Sequence, residues 1–186
     1  MSTIEQGSAT IAAALRKLYF ARFGFAILWA VALAVSSATL NPLSISLLVL
    51  YPVVDLIAAV IDYRASRAIK PAPVLYINMA LSLLTAVGLA IAATSSASAA
   101  LVVWGAWAIT AGAVQLIVAI TRRRLGGQVP MILSGGISVL AGTAFVLMSG
   151  GPTASVTGVA GYAVLGGIFF LVSALLLGRT AKGGTR

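Results

Sequence analysis

Apolar residues in this chain gather into six long blocks, at roughly 19–38, 43–62, 74–94, 99–120, 129–149 and 157–177. They neither alternate with polar residues, as on a half-buried strand, nor leave a polar stripe like that of a surface helix. Each block reaches the roughly 20 residues that an α-helix needs to cross a bilayer. The breaks between them are rich in turn formers: Ser36 to Pro42, Lys70-Pro71-Ala72-Pro73, Thr94 to Ser98, Gly126-Gly127 and Gly150-Gly151-Pro152. Glycine and proline at such places stop helices and make tight connections. The pattern predicts an all-α integral membrane protein with six transmembrane helices.

The charges turn this pattern into a topology. Arg16, Lys17 and Arg22 precede or open the first block. Arg64, Arg67 and Lys70 lie between blocks two and three, and Arg122, Arg123 and Arg124 between four and five. Arg179, Lys182 and Arg186 follow the sixth. These are all 12 basic residues, and the other three connections carry no charge. With six spans, the four basic segments fall on one face, and the positive-inside bias predicts both termini in the cytoplasm. Basic residues before an apolar run that ends in Ser36-Ser37-Ala38 also mimic a signal peptide. Cleavage is not expected, because the run belongs to the repeat described below and its loss would break the charge pattern.

Composition then narrows the function classes. Only 8% of the 186 residues are charged and 61% are hydrophobic, too few charges to cover a soluble surface. Cys and His are both absent. That excludes disulfides, thiol nucleophiles, Cys/His metal centres and histidine acid–base chemistry. No catalytic residue, metal ligand or cofactor is predicted, and the chain reads as non-enzymatic. The net charge of +9 suggests nucleic acid until its residues are placed. Once they lie beside spans, with no folded basic domain among them, nucleic-acid binding is not expected. The basic clusters, Arg64, Arg67 and Lys70 with Arg122, Arg123 and Arg124, read as orientation signals that also retain anionic lipids of the cytoplasmic leaflet.

The odd blocks superimpose at a shift of 56 residues. Gly24, Ala80 and Gly136 then align, as do Ala26, Ser82 and Ser138, and Ala30, Ala86 and Gly142, all small. Small residues four apart let helix backbones approach closely in lipid. The even blocks align at shifts of 60 and 55. This brings together Pro52, Gly112 and Gly167, then Asp55, Gln115 and Phe170, and finally Arg64, Arg124 and Arg179. The unit is a two-helix hairpin repeated in tandem, at 19–64, 74–124 and 129–178, in one six-helix domain spanning 19–178. Copies with an even number of spans share one orientation, so a pseudo-threefold bundle about the membrane normal is predicted. Before it, 1–18 reads as a cytoplasmic tail with an interfacial helix, or equally as an extension of the first span. Residues 179–186 read as a basic cytoplasmic tail.

Several elements resemble a known family. They are Gly112 to Arg123, reading Gly-x-x-Gln-Leu-Ile-x-Ala-Ile-x-Arg-Arg, then Gly-Ile-Ser-Val-Leu-x-Gly at Gly136 to Gly142, then Pro152 leading into Gly166-Gly167-Ile168-Phe169-Phe170. Over about 20–180, most clearly in the last two hairpins, the chain resembles the HdeD-like family of small six-span bacterial inner-membrane proteins. The resemblance implies a role in acid and envelope stress tolerance and supplies no catalytic motif. It leaves open a scaffold role, with a homo-oligomer or other membrane proteins as partners.

Candidate chemistry narrows to Asp55, roughly 12 Å into a core about 30 Å thick. A central aspartate costs about 2.5–3.5 kcal/mol to insert and needs protein or water around it. Pro52, one turn earlier, removes a helix hydrogen bond and frees the carbonyl near Leu48. An acid beside such a break suits a proton or cation site in a small transporter or channel. Pairing with Arg22, or hydrogen bonding to Gln115 or Asn78, would instead fix helix packing. A lipid-facing, protonated Asp55 is the third alternative. Asp62, on nearly the same face, is placed at the interface. Trp104 and Trp107 are expected as interfacial anchors near the outer end of the fourth span. Trp29 is expected inside the bundle.

Overall fold

A computed structural model of the chain describes residues 3–37, 39–66, 73–152 and 154–183. Arg67, Lys70 and Arg186 lie outside the described residues. The helices are α1 (Thr3–Ser36), α2 (Pro42–Ser66), α3 (Val74–Ser95), α4 (Ala97–Thr121), α5 (Val129–Ser149) and α6 (Thr157–Gly183). Six spans within them are long and apolar enough to cross a membrane: Thr10–Ser36, Pro42–Ser66, Val74–Ser95, Ala97–Thr121, Val129–Ser149 and Thr157–Arg179. Large aliphatic side chains such as Leu28, Val35, Leu84, Ile91, Leu140 and Leu147 point outward. In water they would be a liability; in a bilayer they are the lipid contact. The protein is a multi-pass membrane protein.

Local chemistry sets the helix ends. Asn41 caps α2, its Oδ1 accepting from the backbone N–H of Leu43 and of Ser44, both at 3.0 Å. Pro42 follows at the first helical position, where its missing N–H costs nothing. Ser96 separates α3 from α4 and accepts from the Ala99 N–H at 3.1 Å. At the other face, a 3-10 turn over Arg123–Leu125 runs into Gly126 and Gly127, with φ of 76° and 62°. A Cβ at Gly127 would also lie 2.8 Å from the Ser173 carbonyl oxygen, so both backbone conformation and space select glycine.

Each helix packs on its neighbours in sequence, and α6 returns to α1, so the six form a closed ring. The most extensive seams are α4–α5, α1–α6 and α2–α3. Every one joins an even helix to the next odd helix, taken cyclically. The three hairpins are therefore present, but they grip one another more tightly than each grips itself. Side-chain size explains the strongest seam. A Cβ on Gly142 would lie 2.5 Å from the Gly105 oxygen, and one on Gly112 would lie 2.9 Å from the Gly135 oxygen. Along α1–α6 a Cβ on Gly167 would meet the Ala26 methyl at 3.2 Å.

The aligned small residues divide in two. Ala26, Ser82 and Ser138 are buried, as are Ala30, Ala86 and Gly142. The third set is not at a close approach: a Cβ on Gly24 or Gly136 meets nothing within 4 Å, and Ala80 is exposed. Gly24, Ala80 and Gly136 sit two residues before the buried set, about 200° around the helix, and so face away from it.

Of the two readings of the segment before residue 19, the structure has the extension of the first span, since α1 runs unbroken from Thr3 to Ser36. Ile11, Leu15 and Tyr19 are buried with Ala119, Met131, Phe170 and Leu177, so protein rather than the leaflet covers this apolar face. Trp104 and Trp107 are not interfacial anchors. Both are buried, at 1% and 5% exposed, in an aromatic layer with Trp29 and Tyr51. Trp104 stacks on Trp29 at 5.6 Å between centroids and meets Trp107 edge-on at 5.3 Å. Aromatic contacts of this kind add to area burial, and four rings from three helices make a tight plug.

The seam geometry predicts different responses to the smallest possible change. Gly142→Ala should destabilise the bundle by about 1–3 kcal/mol through overpacking. Gly136→Ala should leave stability unchanged or slightly raised. Thermal unfolding in detergent, followed by tryptophan fluorescence, reads both; equal effects would contradict this packing.

Candidate functional site

Asp55 is 6% exposed and faces the inside of the ring. Its Oδ1 accepts a charge-assisted hydrogen bond from Arg22 Nη2. Its Oδ2 accepts from Asn78 Nδ2 and from Ser82 Oγ, each at 2.8 Å. Trp107 Nε1 donates in turn to Ser82 Oγ at 3.2 Å. One carboxylate thus ties together α1, α2, α3 and α4. Arg22 also lies over the Phe170 ring, its guanidinium carbon 4.2 Å from the centroid, which brings α6 into the same network.

Of the alternatives open for Asp55, the structure selects protein partners, Arg22 and Asn78, over a lipid-facing side chain. Gln115 does not reach it; its Nε2 donates to the Met131 carbonyl at 3.2 Å and fastens α4 to α5. Pro52 is buried inside an unbroken α2. The nearby helix carbonyl that gains a side-chain donor belongs to Leu47, one residue before the expected Leu48. Trp29 Nε1 reaches it at 2.6 Å.

A second ion pair, not anticipated, lies nearer the basic end. Arg122 Nη1 donates to Asp62 Oδ2 at 2.8 Å, and Arg122 Nη2 donates to Ser66 Oγ at 3.0 Å. Ser66 Oγ donates to Asp62 Oδ1 at 3.0 Å, closing a small ring of bonds between α2 and the end of α4. Arg122 is only 8% exposed, so it is not a lipid-facing cation like its neighbours. Arg123, Arg124 and Arg64 are exposed. The repeat contained the signal for this pair, because the 60-residue shift that aligns Asp55 with Gln115 also aligns Asp62 with Arg122.

These groups surround a partly open cavity of about 90 Å³. By this measure one water needs roughly 10–15 Å³, so several waters or one small solute fit. All six helices contribute to its wall. Repeat-related residues meet there at successive levels: Tyr19, Leu75 and Met131; Arg22, Asn78 and Ser134; Asp55, Gln115 and Phe170. The backbone follows the pseudo-threefold axis, while the charge is concentrated on α1 and α2. Toward the basic end the wall is completed by Asp62, Val118 and Gln128. Gln128 is 2% exposed, and its Oε1 has no hydrogen-bond partner. At the other end Tyr51 and Trp107 belong to both the cavity wall and the aromatic layer. The aromatic layer therefore floors the cavity on the side away from Arg122, and the half of the bundle beyond it is a packed apolar core. Among the described residues no group of three or more acidic, Cys or His side chains gathers to hold a metal.

Comparison with protein-family models, with curated proteins and with solved structures gives no match to this chain.

Removing one partner of a buried pair strands the other, a loss of about 3–5 kcal/mol. Asp55→Ala should therefore destabilise the bundle strongly. Combining Asp55→Leu with Arg22→Met should recover most of the loss, since no charge is then left alone. Thermal unfolding of the three proteins in the same detergent tests this, and a double variant as weak as Asp55→Ala would sink it.

Proposed function

We propose that this protein handles a small solute within the membrane, as a carrier or gated pore that performs no chemistry on it. The observation that carries this reading is the cavity. Six helices converge on a partly open chamber of about 90 Å³, lined by polar and apolar side chains and closed on one side by aromatic rings. A bundle selected only for packing has no need of such a chamber, because voids in lipid-embedded cores forfeit the dispersion contacts that hold helices together. A chamber closed on one side between repeated helices suits an alternating-access or gated path, whose binding site lies at the repeat interface.

The setting follows from the sequence resemblance. We place the chain with HdeD-like proteins of the bacterial inner membrane, with both termini cytoplasmic, serving acid and envelope stress tolerance. In that orientation the cavity occupies the cytoplasmic half. Exposed Arg64, Arg123 and Arg124 there are suited to anionic headgroups.

A scaffold reading has its own observation. Both Asp55 oxygens are satisfied, and the network crosslinks four helices, which suffices to account for the conservative chemistry of a structural lock. In that case the outward surface would serve a second copy or other membrane proteins. Proteoliposomes separate the two. Solute handling predicts that wild-type protein accelerates flux of protons or of at least one small solute over empty vesicles. It also predicts that Asp55→Asn and Gln115→Ala alter this flux, with folding checked by the thermal transition. No flux across a broad panel, with acid survival unchanged in Asp55→Asn cells, would leave the scaffold.

A further inference from the structure

We infer that the cavity is built for a small uncharged polar solute, of the urea or glycerol class, and not for a proton or metal cation. This deepens the solute-handling reading above and rests on it.

Among the described residues, three charged side chains line the cavity: Arg22, Asp55 and Asp62. Arg22 and Asp55 neutralise each other directly. Asp62 is neutralised from behind by Arg122 at 2.8 Å. Every carboxylate oxygen facing the site already accepts a hydrogen bond: Oδ1 of Asp55 from Arg22, Oδ2 from Asn78 and Ser82, and the Asp62 oxygens from Ser66 and Arg122. A cation entering here meets carboxylates already paired with arginine, and an anion meets a guanidinium already paired with Asp55. Either would have to break a buried pair or remain uncompensated away from bulk water, and both are costly.

What is left for a ligand is neutral. Tyr19, Tyr51 and Ser134 bring hydroxyls to the wall, and Gln115 and Gln128 bring amides. These groups both donate and accept, which suits amides and polyols. The orphaned Oε1 of Gln128, on a side chain 2% exposed, adds a buried acceptor that lacks a donor. Tyr51, Trp107 and Phe170 make the rest of this part of the wall aromatic and apolar. At about 90 Å³ the space limits the occupant to a few heavy atoms or a short chain of waters.

Urea and guanidinium have nearly the same shape and differ in charge, so the pair isolates the claim. Proteoliposomes of wild-type protein are challenged with gradients of urea, glycerol, guanidinium and acetate, and volume change is followed by stopped-flow light scattering. Urea or glycerol should permeate faster than through empty vesicles, with urea exceeding guanidinium by about tenfold or more. Gln128→Met and Gln115→Leu should each slow the neutral solute, while an outward-facing control, Leu140→Ala, should not. Guanidinium or acetate permeating as fast as urea would overturn the neutral-solute assignment and leave solute handling intact. No acceleration for any of the four would overturn both.

Discussion

A carboxylate in the middle of a bilayer has to be given partners, and Asp55 is the residue around which this bundle is arranged. Insertion of an aspartate at that depth is unfavourable by about 2.5–3.5 kcal/mol before any partner is found. The chain answers with Arg22, Asn78 and Ser82 at once, drawn from α1 and α3, with Trp107 of α4 behind Ser82. Those bonds fix which face of each helix turns inward. Once Asp55 and Arg22 face the interior, Tyr19 and Tyr51 follow by helical periodicity, since each lies three or four residues away. The inner polar wall is thus a consequence of satisfying one charge.

Packing supplies the rest of the ring. Glycine pairs Gly105–Gly142 and Gly112–Gly135 bring α4 and α5 into backbone contact, which a bilayer rewards because lipid tails offer no hydrophobic drive of their own. The tight seams run between hairpins and not within them. The short outer turns only connect helices, whereas the opposed faces of successive repeats do the gripping. The half of the bundle away from the basic end closes on Trp29, Tyr51, Trp104 and Trp107, and the basic half stays open enough to hold a chamber. Threefold symmetry of the backbone thus carries an asymmetric chemistry, with acid and base placed in one repeat.

The six spans were legible because they depend on long-range averages. Six apolar runs survive any local misreading, and Asn41-Pro42 marks its helix start by capping chemistry. Asp55 stood out since a lone acid in an apolar run has few physical explanations. The choice between Arg22 and Gln115 as its partner was not legible, because it depends on how helices rotate about their axes, which spacing within one helix does not set. The Trp104 and Trp107 misplacement has the same origin. A tryptophan near a span end is anchored at the interface only if it faces lipid, and these face the bundle. Arg122 was grouped with Arg123 and Arg124 by sequence proximity, although the turn at Arg123–Leu125 leaves Arg122 directed inward to Asp62. The cavity itself had no sequence signature, since it is a property of six helices together.

The basic half of the bundle holds a chamber floored by the aromatic layer, and a water-filled chamber is open to small polar reagents. The chain contains no cysteine, so single substitutions report accessibility without background. Ala58→Cys and Ala111→Cys lie on the cavity wall, and Ala93→Cys and Leu101→Cys lie in the outer core. With a small water-soluble thiol reagent applied to the basic face of reconstituted protein, the account predicts labelling of the first two and protection of the second two. Protection of all four, or labelling of all four, would contradict it.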